Sequence, residues 1–306
     1  MSIFNRRSQG KDLAERLGAR EDELRASTLY RDAWIRLKKN KLALFAFAAI
    51  VVIVIIAIFA PLIAPYAPET QDLKNRNQGP SDAHLLGTDS LGRDLLSRII
   101  HGSRVSLMVG IITECIAVPL GVLLGSIAGY YGGKIDAVIS RIIETLSSFP
   151  FILFAMVLMY VFGTGLVAVF VALGIIGWIG LARLIRGQVI QLKEREFVEA
   201  ARAAGASDLT IIFKHLIPNC LSTIIVVITL DIPDDIVYEA TLSFIGLGVQ
   251  PPMPSWGSML AESMKYMRDN PGYAIYPGLA LMFLVLMFNT LGDGLRDALD
   301  PKLKNL

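Results

Sequence analysis

Glu199 to Pro218 reads EAARAAGASDLTIIFKHLIP and lies in a basic, polar interruption between two long apolar segments. It holds a Glu-Ala-Ala triplet, a glycine four positions beyond the last alanine, and a proline that opens the next apolar run. A chain that only had to turn around between two membrane crossings would need a handful of polar residues. Glu196 to Ala204 consists of good helix formers, and Ala200, Ala201, Ala203 and Ala204 give it a smooth surface. Gly205 breaks the run, as glycine does where the backbone must take a positive φ. Ser207 or Asp208 can cap a second helix, and Pro218 suits the first turn of the span that follows. The expected unit is helix, glycine hinge, helix, then a membrane helix leaving at an angle. It suits a docking element for a soluble partner, with Glu199, Arg202 and neighbouring arginines supplying orienting charge. The plainer reading is an ordinary amphipathic surface helix.

The surroundings decide what kind of chain carries this insert. Of 306 residues 54% are hydrophobic, and the mean hydropathy is +0.55. A spanning helix needs about 20 mostly apolar residues. Runs of that kind cover Leu42 to Ile63, Ser106 to Ala128, Ile142 to Phe162, Leu166 to Leu184, Pro218 to about Ala240, and Ile275 to Leu295. Hydrocarbon cannot satisfy open backbone groups, so each must be helical. The expectation is an all-α polytopic membrane protein with six transmembrane helices.

Lys and Arg near the span ends set the orientation. Arg31, Arg36, Lys38, Lys39 and Lys41 precede the first span, Lys134 and Arg141 follow the second, and Arg183 to Lys214 follow the fourth. With six spans all three regions fall on one side, which places both termini in the cytoplasm. A net charge of +2 gives no sign of nucleic acid. The first apolar run starts too late and runs too long for a cleaved signal. Cys115 and Cys220 sit in or beside spans and read as small hydrophobes.

These boundaries divide the chain into a cytoplasmic segment 1–41, a first span 42–63, an extracytoplasmic loop 64–103, a five-helix core 104–297 containing the insert 186–216, and a cytoplasmic tail 298–306. Thr28 to Lys41 reads either as an interfacial helix or as a basic flank. In the outer loop, Gly87 and Gly92 mark turns before a short amphipathic stretch. Gly129 to Asp136 is a tight glycine turn with interfacial tyrosines. Gly163-Thr164-Gly165 is short enough only for a hairpin, and Gly246 to Trp256 is an outer loop or re-entrant turn.

Acidic residues inside the apolar runs stand out. Asp231, Asp234 and Asp235 lie in the fifth run, roughly 20 to 30 Å beyond Pro218 at 1.5 Å per residue, with Glu239 a turn further on. Asp231, Asp235 and Glu239 share a helix face, with Asp234 beside them. Pro233 is a candidate kink, and Glu114 sits mid-way along the second run. Three readings stand: a translocation pathway favouring a cationic group, a span that ends early and leaves the aspartates solvated, or an ion pair with a partner chain. Glu144 and Asn289 read as interhelical hydrogen-bond partners.

The insert resembles the EAA loop of bacterial ATP-binding-cassette (ABC) import permeases. That motif runs Glu-Ala-Ala, three residues, Gly, nine residues, then hydrophobic-x-hydrophobic-Pro. Glu199, Ala200, Ala201, Gly205, Ile217 and Pro218 fall in place, whereas His215 departs from the usual isoleucine. The blocks LGTDSLGRDLLSRIIHGSRVSL (86–107), GYYGGKID (129–136), RIIETLSSFP (141–150) and EATLSFIGLGVQPPMPSWGSML (239–260) are similar to the C-type subunit of dipeptide and oligopeptide importers. Nickel importers share that architecture.

The resemblance implies a type I ABC-importer permease fold in the bacterial cytoplasmic membrane. It also implies a homologous second permease, two ATPases docked on a coupling helix, and an extracytoplasmic peptide-binding protein. Coupling would then involve Glu199, Ala200, Ala201, Arg202, Gly205, Ala206 and Pro218. No cofactor is expected on this chain, ATP and Mg belonging to the ATPases, and no catalysis. GYYGGKI is not a phosphate loop, since Ala128 and Ile135 stand where glycine and Ser/Thr belong. A proton- or cation-coupled secondary transporter is the rival from another class, and an intramembrane enzyme a distant third.

Overall fold

Asp94 opens a long helix. Its carboxylate accepts the Ser97 N–H at 2.8 Å, an N-cap that leaves Leu95–Tyr131 to run for 37 residues. A computed structural model describes residue 31 and residues 33–299. Most of the segment 1–41 and of the tail 298–306 therefore lies outside the described residues. The long helices are α1 (Lys41–Ile58), α2 (Leu95–Tyr131), α5 (Leu166–Leu192), α7 (Asp208–Phe244) and α9 (Gly272–Leu299). Shorter ones are α3 (Gly133–Ser147), α4 (Phe151–Phe162), α6 (Glu196–Ala203) and α8 (Trp256–Ser263). Among the described residues no strand forms beyond one isolated bridge between Thr88 and Asp94.

Helix α2 packs on α1, α5, α7 and α9. Its approach to α5 is the closest of these, because Gly121, Gly125 and Gly129 recur every fourth residue along one face. A Cβ at these positions would fall 2.9, 2.5 and 2.8 Å from the carbonyl oxygens of Trp178, Ala182 and Arg186. Small residues at such spacing let backbones touch where lipid offers no hydrophobic drive to associate. Trp178, Ile179 and Ala182 then join Ala117 and Val169 in one apolar core, while Ile236, Met259, Tyr273 and Leu284 anchor a second around α7, α8 and α9.

The third expected span is not a single helix. Helix α3 begins at Gly133, nine residues before Ile142, and meets α4 at an angle of 92°. Helix α4 has 12 residues, about 18 Å, so it cannot cross a bilayer core alone. The break has a local cause. Pro150 has no N–H to donate and pushes Phe149 out of the helical region, while the Ser148 hydroxyl turns back to the Glu144 carbonyl at 2.8 Å. Five helices are long and apolar enough to cross a membrane, six when the bent pair counts as one span. Other boundaries move less. The helix of the second span starts at Leu95, inside the stretch 64–103 expected as loop, and α1 stops at Ile58 ahead of a short turn, Ala60–Ile63.

Residues 33–39 are helical, with Ala33 and Leu37 buried against Ala43 and Ala298. Trp34 stays exposed beneath the Lys38 ammonium, 5.2 Å from its ring centre. Glu144 is not an interhelical partner: it is exposed and pairs with Arg141 on its own helix at 3.2 Å. Asn289 likewise donates to the Val285 carbonyl one turn back, at 3.1 Å.

Gly125→Leu is expected to cost about 1–3 kcal/mol through overpacking against Ala182, lowering the thermal midpoint of the purified protein. Gly180→Ala is the control, because a Cβ there meets nothing within 4 Å. An unchanged midpoint in Gly125→Leu would show that α2 and α5 tolerate separation.

Candidate functional site

The insert sits at the end of the bundle where α2 finishes and α7 begins. Helix α6 buries Val198 against Ile185, Val189, Ile211 and Ile212, with Phe197, Ala201 and Ala206 packed around them. The opposite face carries Glu199, Ala200, Arg202, Ala203, Ala204 and Gly205, all exposed. Gly205 takes φ +84°, and the Ala206 N–H closes the helix end by donating to the Ala201 carbonyl at 3.1 Å. A left-handed residue at this point is what glycine supplies at least cost. Ser207 caps α7 by accepting from the Thr210 N–H.

Asp208 is not the cap but a tether. Its Oδ1 accepts from the Tyr130 hydroxyl at 2.7 Å, joining the insert to the last turn of α2. Arg186 of α5 donates to Asp136 of α3 at 2.6 Å nearby, and Lys193 reaches the Tyr130 carbonyl at 3.4 Å. The expected second helix, capped at Ser207 or Asp208 and separate from the span that Pro218 opens, is absent. Helix α7 instead runs through Pro218 to Phe244, with Ile211–Leu216 wound as a wider π turn. Pro218 leaves the carbonyl four residues back without its usual donor, and the widened turn just before it takes up that mismatch. Pro218 is exposed and stands at the start of the regular α-helical part.

The carboxyl groups of α7 do not act as one face. Helix α7 does not end early; it continues past all of them, with Pro233 buried inside it. Asp235 is 6% exposed and Glu114 of α2 7% exposed. The two lie within hydrogen-bonding reach of each other. Asp231 is half-buried and close to Glu114, while Asp234 is exposed. Glu239 belongs to a different group: its Oε1 accepts from Ser243 at 2.6 Å, and Ser243 also receives the Val249 N–H at 3.0 Å. That knot folds the 246–256 stretch back, and the Trp256 indole then donates to the Ile99 carbonyl at 3.0 Å.

At the far end the 86–107 block forms a buried ionic network with no counterpart in the sequence reading. Asp89 accepts from the Arg93 backbone at 2.9 Å and from its guanidinium. Glu262 of α8 receives Arg93 at 2.8 Å, Arg98 at 3.4 Å and the Tyr273 hydroxyl at 2.7 Å. Gly92, at φ +74°, passes so close to the Asp72 carbonyl that a Cβ would overlap it. The turn signals at Gly87 and Gly92 were visible in sequence, but the pairing of Arg93 with Glu262, 169 residues away, was not. Beside this network a cavity of about 310 Å³ opens between Glu69, His101, Arg104 and Pro252–Pro254.

Two family models match the chain. Residues 121–305 match the family described as binding-protein-dependent transport system inner membrane component. Residues 28–80 match the N-terminal TM domain of oligopeptide transport permease C. The dipeptide transport system permease protein DppC of Alkalihalophilus pseudofirmus is 45% identical over 285 residues, covering 93% of this chain and 94% of that protein. The glutathione transport system permease protein GsiD of Pectobacterium atrosepticum is 45% identical over 279 residues, 91% of this chain and 93% of that one. The oligopeptide transport system permease protein OppC of Haemophilus influenzae is 43% identical, with 95% of each chain covered. An inward-facing crystal form of the MetNI methionine ABC transporter is similar in fold, with a TM-score of 0.52 at 24% identity over 67% of this chain and 98% of that one.

Tyr130→Phe is expected to loosen the insert by roughly 1 kcal/mol, the loss of one part-buried hydrogen bond to a carboxylate. Amide exchange over residues 196–210 should quicken about five-fold while membrane insertion stays normal. Unchanged exchange would show that the apolar contacts of Val198 and Ile211 hold the insert alone.

Proposed function

The chain belongs to the family of binding-protein-dependent transport system inner membrane components, and we propose that it is the pore-forming permease subunit of an ABC importer for di- and oligopeptides. Its relatives carry dipeptide, oligopeptide and glutathione transport names over nearly their whole length, which supports a peptide substrate and does not favour nickel import or a self-sufficient secondary transporter. The family and the five to six apolar helices make it a multi-pass inner-membrane protein that works with other transporter components.

The observation that carries the mechanism is the exposed face of α6. Glu199, Ala200, Arg202 and Gly205 project from a helix whose other face is bound to the core. In the proposed complex each of two ATPases grips a coupling helix, this chain's and that of a second, homologous permease. ATP and Mg are held and hydrolysed on those partners, and this chain contributes no catalytic group. A displacement of α6 is passed to α2 through Tyr130–Asp208 and to α7 through the π turn. An extracytoplasmic binding protein delivers peptide at the opposite end, near the 310 Å³ cavity. Both termini then lie in the cytoplasm, in keeping with the basic flanks of α1 and of the insert.

The defining test is ATP hydrolysis by the complex purified through this subunit and reconstituted with its binding protein. Stimulation by peptides and not by nickel is expected; stimulation by nickel alone would overturn the substrate, and the absence of any co-purifying ATPase would overturn the importer. Glu199→Arg and Gly205→Val are expected to insert normally and abolish uptake. For Gly205 the cause is a β-branched residue forced to a positive φ. Normal ATP-dependent uptake in either variant would remove α6 from the coupling path.

A further inference from the structure

We propose that the cavity beside the first turns of α2 receives a short peptide as a zwitterion, with its carboxylate on Arg104 and its ammonium on Glu69. The inference rests on the peptide-importer reading and adds the place where a delivered substrate is first held.

Three segments of the chain build this space of about 310 Å³. Its floor is α2, where His101, Arg104, Val105 and Met108 line it. Those residues are three and four positions apart and so share one face of the helix. One wall is Pro252–Pro254. Trp256, two residues further on, fixes that wall to α2: its indole donates to the Ile99 carbonyl at 3.0 Å, and a Cβ at Gly102 would come within 2.8 Å of its ring. The other wall is Pro68 and Glu69. Tyr66 ties it down, donating its N–H to Ser97 Oγ at 3.0 Å and its hydroxyl to the Ala83 carbonyl at 2.8 Å. Proline restricts the backbone of both walls. The space is thus framed before anything enters it, and its volume falls at the small end of the range for ligand sites.

The charges lining the cavity select its ligand. Arg104 and Glu69 are both exposed. Among the described residues neither makes a hydrogen bond or an ion pair through its side chain, with the other or with any third group. In the adjoining network, by contrast, Asp89, Arg93, Arg98 and Glu262 pair with one another. His101, near both Arg104 and Glu69, brings a further ring N–H. The guanidinium presents a planar fork that matches a carboxylate, and a glutamate accepts the N–H donors of an ammonium. A simple anion would leave Glu69 facing like charge, and a simple cation would meet Arg104. A molecule with opposite charges at its two ends satisfies both. A dipeptide extends roughly 7 Å at 3.3–3.6 Å per residue, and a cavity of 310 Å³ is on the order of that across. Val105, Met108 and Met253 supply an apolar lining, and methionine adapts to side chains of different shape. The site therefore reads peptide termini and tolerates variety between them.

The test measures binding to the whole transporter in lipid nanodiscs, without its binding protein, by saturation-transfer NMR with Ala-Ala, Ala-Ala amide and N-acetyl-Ala-Ala. The wild type should bind Ala-Ala about tenfold more tightly than either capped peptide, the scale of one charge-assisted bond. In Arg104→Gln the preference over the amide should vanish while the preference over the acetylated peptide persists; Glu69→Gln should do the reverse. Both substitutions fall on exposed side chains, where the effect on folding is small. Equal binding of the three peptides by the wild type, no detectable binding of Ala-Ala, or preferences unchanged in both variants overturns the site. Loss of both preferences together in a variant would assign that residue a packing role and overturn the proposal as well. The peptide reading fails separately, when no peptide stimulates ATP hydrolysis by the wild-type transporter with its binding protein present. Stimulation without Ala-Ala binding in the nanodiscs removes this site alone.

Discussion

Close contact between the backbones of α2 and α5 is the constraint on which the remaining packing depends. Gly121, Gly125 and Gly129 allow it, and no side chain larger than hydrogen would. Once α2 is fixed on α5, its 37 residues, about 55 Å at the usual rise, serve as a spine with three stations. Asp94 and Arg98 at one end hold the 86–107 block, Glu114 meets α7 in the middle, and Tyr130 receives the insert at the other end. Around this axis α1 packs on α9, and α4 on α5.

What could be read from sequence depended on whether the signal was local. Five of the six apolar runs correspond to long helices, because hydrocarbon leaves an apolar run of that length no other structure. The insert was legible for the same reason: Gly205, Ser207 and the alanines act on their immediate neighbours. The third run was not read as bent because composition outweighed two local breakers. Ile142 to Phe162 is apolar enough to span, yet Pro150 with its preceding serines bends it by 92°. The glycine stripe of α2 was also local, but its meaning depends on a partner helix, and single glycines in an apolar run read as neutral.

The polar groups show the limit more sharply. Asp231, Asp235 and Glu239 share a helical face by spacing alone, yet they have three different settings. Glu239 accepts from Ser243 within its own helix through one oxygen, Asp235 faces Glu114 on another, and Asp231 stays partly open. Spacing ranks residues around one helix axis; it carries nothing about which neighbour arrives at which height. The same holds for Arg93 and Glu262, whose pairing at 2.8 Å joins a loop to a helix far along the chain. Removing Asp89 from beneath the buried Arg93 and Arg98 is costly, on the order of 3–5 kcal/mol, so this network is a frame and not a moving part.

Helix α7 connects the two functional regions physically. It leaves the insert at Asp208 and carries Asp235 against α2, so two attachments to the same neighbour lie 27 positions apart on one helix, roughly 40 Å. A helix held at two points can transmit rotation only if one stretch of it can rewind. The π turn at Ile211–Leu216 is such a stretch, lying between the tether and the regular part of the helix. Its apolar side chains Ile211, Ile212 and Leu216 are wholly buried against α5 and α6, so a push on α6 is felt there first. Further along there is no comparable break, and Pro233 lies packed inside a continuous helix. From the π turn to Asp235 the helix is therefore one regular length, and any adjustment between the Tyr130–Asp208 tether and the contact of α7 with α2 at Gly110 falls on Ile211–Leu216.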